Sequence, residues 1–228
     1  MHILYEDGPV LVINKPPGIL VQAPPGIENL VEQVKDYVRK KEGREGKNVY
    51  LGVPHRLDRP ATGCMIFARH VRAAQRLSQQ FQMRTIIKKY WALVEGLVSE
   101  PAGSWEDFMI KVPDEPRAEI VPPQHPDARW ALLHYRVQKL FPEKNRTWLE
   151  IELETGRTHQ IRVQCASRGF PILGDAQYGA KIPFGEQFAD ERLRAIALHS
   201  RSIRFRHPMR EEMVEIIAPV SPEWGVKE

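Results

Sequence analysis

The chain has 228 residues, of which 42% are hydrophobic and 27% charged, and its formal net charge is +4. That length holds one ordinary core, and the lack of an internal repeat or low-complexity tract excludes a solenoid or an array. Cys64 and Cys165 stand far apart outside any CxxC or Cys/His cluster, which argues against a disulfide framework or a zinc site, and no apolar run reaches membrane-spanning length.

In chain order, Met1-His2-Ile3-Leu4-Tyr5-Glu6-Asp7 turns acidic where a secretory leader would be apolar, so a cytoplasmic location is expected. Leu11 to Ile13 follow the Gly8-Pro9 break as a strand that ends at Asn14-Lys15-Pro16-Pro17-Gly18, a turn. Leu30, Val31, Val34, Tyr37 and Val38 fall on one helical face, with Asn29 as cap and Gly43 as stop. Cys64 to Ala68 suits a buried strand, and Val71, Ala74, Leu77 and Phe81 mark a second amphipathic helix. Thr85 to Val94 predicts a strand whose alternation puts Lys88 and Tyr90 on one face.

The segment from Pro101 to Asp127, rich in proline and charge, fits hairpins and loops at a rim better than core. Ala131 to Leu140 and Thr147 to Leu153 read as strands, and Thr158 is the expected cap of a helix running through Cys165 to a stop at Gly169. Ile196 to Phe205 and Met213 to Ile217 complete the strands. Helices and strands interleave without a regular βαβ repeat, which predicts an α+β fold: a mixed, largely antiparallel sheet with flanking helices.

Cations crowd the last third of the chain, where Arg157, Arg162, Arg168, Lys181, Arg192, Arg194, Arg201, Arg204, Arg206 and Arg210 outnumber the acids. A domain with that bias meets polyanions, and arginine favours bidentate phosphate contacts and stacking on bases. Nucleic acid is the expected partner.

The chemistry concentrates in His55-Arg56-Leu57-Asp58-Arg59-Pro60-Ala61-Thr62-Gly63. Two arginines flank the Asp58 carboxylate and favour its charged form, while Pro54 and Pro60 restrict the backbone around it. A carboxylate can form a covalent adduct and leave again. The nine residues resemble the signature loop of the RluA-type pseudouridine synthases, which break the glycosidic bond of a uridine in RNA and rejoin the base through carbon. Four further strings follow in that family's order: Lys88-Lys89-Tyr90-Trp91 through Gly96, Thr155-Gly156-Arg157-Thr158-His159-Gln160-Ile161-Arg162, Gly174-Asp175-Ala176-Gln177-Tyr178-Gly179, and Leu198-His199 through His207-Pro208.

The resemblance implies a pseudouridine synthase fold over residues 1–228 as one catalytic domain, without a separate amino-terminal RNA-binding domain. It implies Asp58 as nucleophile, Arg162 as the arginine that pairs with it, and Tyr90 as the tyrosine beneath the uracil. Arg56 would enter the RNA helix where the target base has flipped out, while His55 braces the loop. Arg56, Arg59, Lys88, Arg157, His159 and Arg201 are the expected RNA contacts. The glycine-rich string around Asp175 reads as architecture with phosphate contacts nearby.

Attack at the ribose anomeric carbon and attack at the pyrimidine ring both fit. The product is an isomer, so no cofactor is expected, and His55, His159 and His199 lack ligand spacing, so no metal is expected. The partner is structured RNA, ribosomal or transfer, with the protein a monomer and no obligatory protein partner. Pro60-Ala61-Thr62-Gly63 departs from a polar-Thr-Ser-Gly pattern, and Gln164 stands where histidine is common. Both departures are expected to bear on substrate fit. A silent RNA-binding module would have little need of Asp58, Tyr90 and Arg162 together, and a glycoside hydrolase would need a second carboxylic acid across the bond.

Overall fold

A computed structural model describes residues 1–226. Among these, the strands are β1 (His2–Asp7), β2 (Val10–Lys15), β3 (Thr62–Ala68), β4 (Ile87–Glu95), β5 (Ala102–Lys111), β6 (Ala118–Val121), β7 (Arg129–Phe141), β8 (Arg146–Leu153), β9 (Leu198–Arg206) and β10 (Met213–Ile217). The helices are α1 (Leu30–Lys41), α2 (Val71–Gln82) and α3 (Gln160–Ser167). The strands form one sheet in the order β1-β2-β3-β9-β4-β8-β7-β5-β6, with β10 paired to β9. Every pairing is antiparallel except β3 with β9, so the expected α+β architecture is the observed one.

The continuous apolar runs of β2 and β3 follow from burial on both faces. Leu11, Ile13, Met65 and Phe67 pack with Leu30, Val31 and Val34 of α1. Their alternates Val10, Val12, Cys64 and Ile66 pack with Ala73, Ala74 and Leu77 of α2. One helix on each side of two strands explains why neither strand alternates in polarity. Asn29 caps α1 as expected, its side chain accepting from the Glu32 amide at 3.2 Å.

Two expectations need correction. The segment after Pro101 contributes a hairpin near the sheet edge, but β5 is a ten-residue strand along β7, and its Trp105 and Met109 are buried. Their period places them inside, while Glu106 and the neighbouring prolines make the stretch look like rim. Thr158 does not cap α3. His159 takes that position in the left-handed region at φ 52°, without a side-chain cap bond.

The parallel contact joins only Thr62 to His199 and Gly63 to Ser200. There Gly63 has φ +111°, and a Cβ on it would lie 2.3 Å from the Ser200 carbonyl oxygen. This close approach sets the end of β3 against β9 and fixes where the preceding loop, which carries Asp58, leaves the sheet.

Candidate active site

A cleft of about 410 Å³ opens where the Asp58 loop, β4 and the β8–α3 connection converge, and its lining includes Arg56, Asp58, Lys88, Tyr90, Arg157, His159 and Arg162. Of the site residues singled out from sequence, all but Arg59 and Arg201 therefore share it, together with the loop residue Ala61 and the rim residue Arg84.

The Asp58 loop is held from below by Lys15, which in the sequence looks like part of a turn. Lys15 is wholly buried, and its ammonium donates to the carbonyls of Pro16, Arg59 and Ala61 at 3.0, 3.0 and 2.9 Å. Burial pulls its pKa down to about 7 against the opposing pull of Asp58. With three acceptors around it, the charged form is the one that keeps every N–H paired. From the other side, His55 Nε2 accepts from the Ile66 amide at 3.0 Å, and the ring stacks on Phe81. Burial, then the charge of Lys88, brings the His55 pKa down to about 3, so this ring is neutral at pH 7 and serves as a brace.

Asp58 keeps 24% of its side chain exposed and lies 3.4 Å from Arg162 Nη1 and 3.8 Å from His159 Nε2. Arg162 itself belongs first to another acid. Its Nε and Nη2 donate to the two Asp175 carboxylate oxygens at 2.7 and 2.8 Å, and Nη2 also donates to Gln177 Oε1 at 2.8 Å. Both partners are buried, and the guanidinium lies over the Tyr178 ring. Burial lowers the Arg162 pKa, but the Asp175 hydrogen bonds and charge outweigh it, and the net shift is upward. The buried fork leaves Nη1 for Asp58. Sequence reasoning missed Asp175 as the counterion because a lone acid in a glycine-rich string carries no pairing signal.

His159 adopts its left-handed backbone next to Asp58, with Nδ1 2.8 Å from the Tyr178 hydroxyl. Burial lowers its pKa, with Asp58 opposing, so the neutral imidazole prevails at pH 7. Tyr90 is buried at the cleft floor, and burial raises its pKa strongly although Ser200 hydrogen-bonds its hydroxyl. The phenol therefore stays protonated at neutral pH. Lys88 shares its face, as alternation predicts, and burial lowers its pKa.

The remaining expected contacts divide between the cleft and other surfaces. Arg56 is exposed at the cleft mouth, and Arg157 holds the Trp130 carbonyl through Nε at 2.9 Å. Arg59 turns away, donating from Nε to the Gly18 carbonyl at 2.8 Å, and lines a separate cavity with Lys181 and Arg192. Arg201 falls outside the cleft: the β4–β9 register shifts at Lys89/Tyr90, and Arg201, between Ser200 and Ser202, lies over Trp91 and donates to the Ala218 carbonyl. Gln164 also faces away from the cleft. Its Nε2 donates to the Trp105 carbonyl and to Asp107, so this departure tunes β5 packing against α3. Thr62 likewise meets His199 Nδ1 at 2.7 Å behind the loop, whereas Ala61 lines the cleft. Among the described residues no cluster of three His, Cys, Asp or Glu stands ready for a metal ion, and no helix is long and apolar enough to cross a membrane.

Residues 9–167 match the family model described as RNA pseudouridylate synthase. The chain is 34% identical over 231 residues to the ribosomal large subunit pseudouridine synthase D of Haemophilus ducreyi, a match that covers 98% of this chain and 68% of the relative. It is 35% identical over 224 residues to the uncharacterized RNA pseudouridine synthase YlyB of Bacillus subtilis, covering 96% and 69%. In fold it resembles human RNA pseudouridylate synthase domain containing 4, with a TM-score of 0.76 and 22% identity over 96% of this chain and 88% of that one.

Proposed function

Because the chain belongs to the RNA pseudouridylate synthase family, whose members isomerise uridine in RNA, we propose that Asp58 is the nucleophile of that reaction and that large-subunit ribosomal RNA is its substrate. The observation that carries the assignment is the Asp58 carboxylate, 3.4 Å from a guanidinium that Asp175 holds in place, in a cleft whose volume suits one extruded nucleoside. The choice of ribosomal RNA rests on the names of relatives at about one-third identity.

A uridine inside folded RNA hides its sugar and ring carbons, so the nucleotide must leave the stack, at roughly a few kcal/mol. Arg56, exposed and two positions before Asp58, would fill the gap. The Asp58 carboxylate then attacks the ribose anomeric carbon or the pyrimidine ring. In the first route the C1′–N1 bond breaks as the Asp58 ester forms, and the uracil anion turns over Tyr90. C5 then displaces the carboxylate, the freed carboxylate takes the C5 proton, and N1 takes up a proton in exchange, so that the product is an isomer of the substrate. Tyr90, kept protonated by burial, serves as a stacking floor and hydrogen-bond donor and is a poor base at neutral pH. Arg162 is a positioning residue: it fixes and electrostatically supports the Asp58 carboxylate.

Asp58→Asn should make no pseudouridine in a ribosomal RNA transcript while binding that transcript as tightly as the wild type. Retained turnover would assign the chemistry to another residue. Pseudouridine mapping in cells with and without the gene should lose sites in large-subunit RNA and none in transfer RNA; loss confined to transfer RNA would overturn the substrate.

A further inference from the structure

One rim of the cleft carries a group of cations in excess of its acids, which the sequence shows only in part. Arg84 sits in the turn between α2 and β4, Arg129 and Trp130 open β7, and Arg157 lies in the β8–α3 connection. Among the described residues none of the three arginines forms an ion pair, and Arg84 and Arg129 lie near enough to Arg157 to lower its pKa, after the larger effect of its burial. Of the acids close by, Glu106 accepts from Trp130 Nε1 at 2.7 Å, and Glu154, which lines the same cleft and lies 3.6 Å from His134, is one carboxylate against three guanidinium groups.

Trp130 gives the group a floor. The Arg84 guanidinium lies over its ring at 5.7 Å, and Arg157 Nε holds its backbone carbonyl. Arg84 also occupies the left-handed region at φ 57°, where glycine or asparagine would hold the turn with less strain. Like charges gathered beside a strained backbone are unfavourable in the free protein and call for an anionic occupant. Arg84 and Arg157 line the cleft itself, and Arg129, exposed and outside that lining, lies near Arg157.

We propose that Arg84, Arg129 and Arg157, with Trp130 beneath, form a track for the phosphodiesters of the RNA strand that flanks the target uridine. The proposal rests on the RNA substrate argued above and adds where the flanking strand lies. Arginines arranged around an aromatic floor suit phosphate contacts and one stacked base, and they would strengthen binding without taking part in the reaction.

The test measures the salt dependence of binding of a large-subunit ribosomal RNA fragment to the full chain, with Arg84→Ala/Arg129→Ala compared with wild type and with Lys40→Ala on α1. The double variant should bind more weakly and show a log–log salt slope shallower by roughly 0.7 for each phosphate it no longer neutralises. Its KM should rise, its kcat at saturating RNA should stay at the wild-type value, and Lys40→Ala should match wild type. An unchanged slope, an equal change in Lys40→Ala, or a fall confined to kcat overturns the track. If the double variant misfolds, Arg129→Gln alone, an exposed change outside every ion pair of the described residues, should show about half the shift. The two readings fail separately. Wild type that makes no pseudouridine in any RNA sinks the function, whereas active wild type with an unaltered variant slope sinks only the track.

Discussion

Arg162 serves two carboxylates unequally, and that inequality sets the consequences of mutation. The Asp175 pair is buried and doubly hydrogen-bonded, so Asp175→Ala leaves a guanidinium in the interior without its main partner. Such a loss typically costs ~3–5 kcal/mol, which in a domain of this size lowers the thermal midpoint by on the order of 10 °C. Calorimetry should find that drop in Asp175→Ala and a much smaller one in Asp58→Asn, whose carboxylate is partly exposed at 3.4 Å. Equal drops would mean that Asp58, too, is chiefly a structural partner. Asp58, Arg162 and Tyr90, expected together from their strings, do line one cleft, whereas the string around Asp175 reads only as architecture. Asp175, thirteen positions from Arg162, and Lys15, buried under a loop more than forty positions on, were not legible in the sequence as partners of the site. Their importance comes from tertiary proximity, which no local pattern encodes. His159, expected from sequence as an RNA contact, lines the cleft, and its left-handed backbone at the start of α3 also brings it to Asp58 and Tyr178.

Elements were easier to read than the joints between them. Asn29, the apolar faces of α1 and α2, and the runs in β2 and β3 follow directly from capping chemistry and burial. The start of α3 is displaced by one residue from its expected place because a hydroxyl at Thr158 looks like a cap, while a positive φ at His159 leaves no trace in composition. The parallel β3–β9 contact was equally invisible, although Gly63 marks it. A side chain there would meet Ser200 backbone, which has no rotamer to move away, on a residue already at φ +111°. Gly63→Ala should therefore lower the urea midpoint far more than Gly46→Ala, where φ is +73° but a Cβ meets nothing within 4 Å. The latter should cost only the left-handed penalty of roughly 1–2 kcal/mol. Comparable losses in both would mean that the β3–β9 junction relaxes, and the Asp58 loop would then lack the fixed origin that the proposed reaction requires.

At the scale of the molecule the cleft lies where two parts of one sheet meet. β1, β2, β3, β9 and β10 carry the Asp58 loop, whereas β4, β8, β7, β5 and β6 carry Tyr90 and, through α3, Arg162. The β4–β9 ladder from Ile87 to Ala92 joins them, and the core runs across that seam, with Leu198 beside Tyr90, Trp91 and Ala92. A site built from both sides needs both to be folded together, so the whole chain should unfold as one unit. Tryptophan makes this measurable. Trp91, Trp105, Trp130 and Trp148 all lie on the β4 side, and only Trp224, packed on Phe184 and His199, reports from elsewhere. Fluorescence thus follows mainly one half, while far-ultraviolet circular dichroism follows both. The two signals should share a single urea midpoint, and Trp224→Phe should leave that coincidence intact. If fluorescence and dichroism separate, each half has its own stability. Asp58 and Tyr90 would then be brought together by docking of two units, and RNA binding should draw the two midpoints closer by mass action.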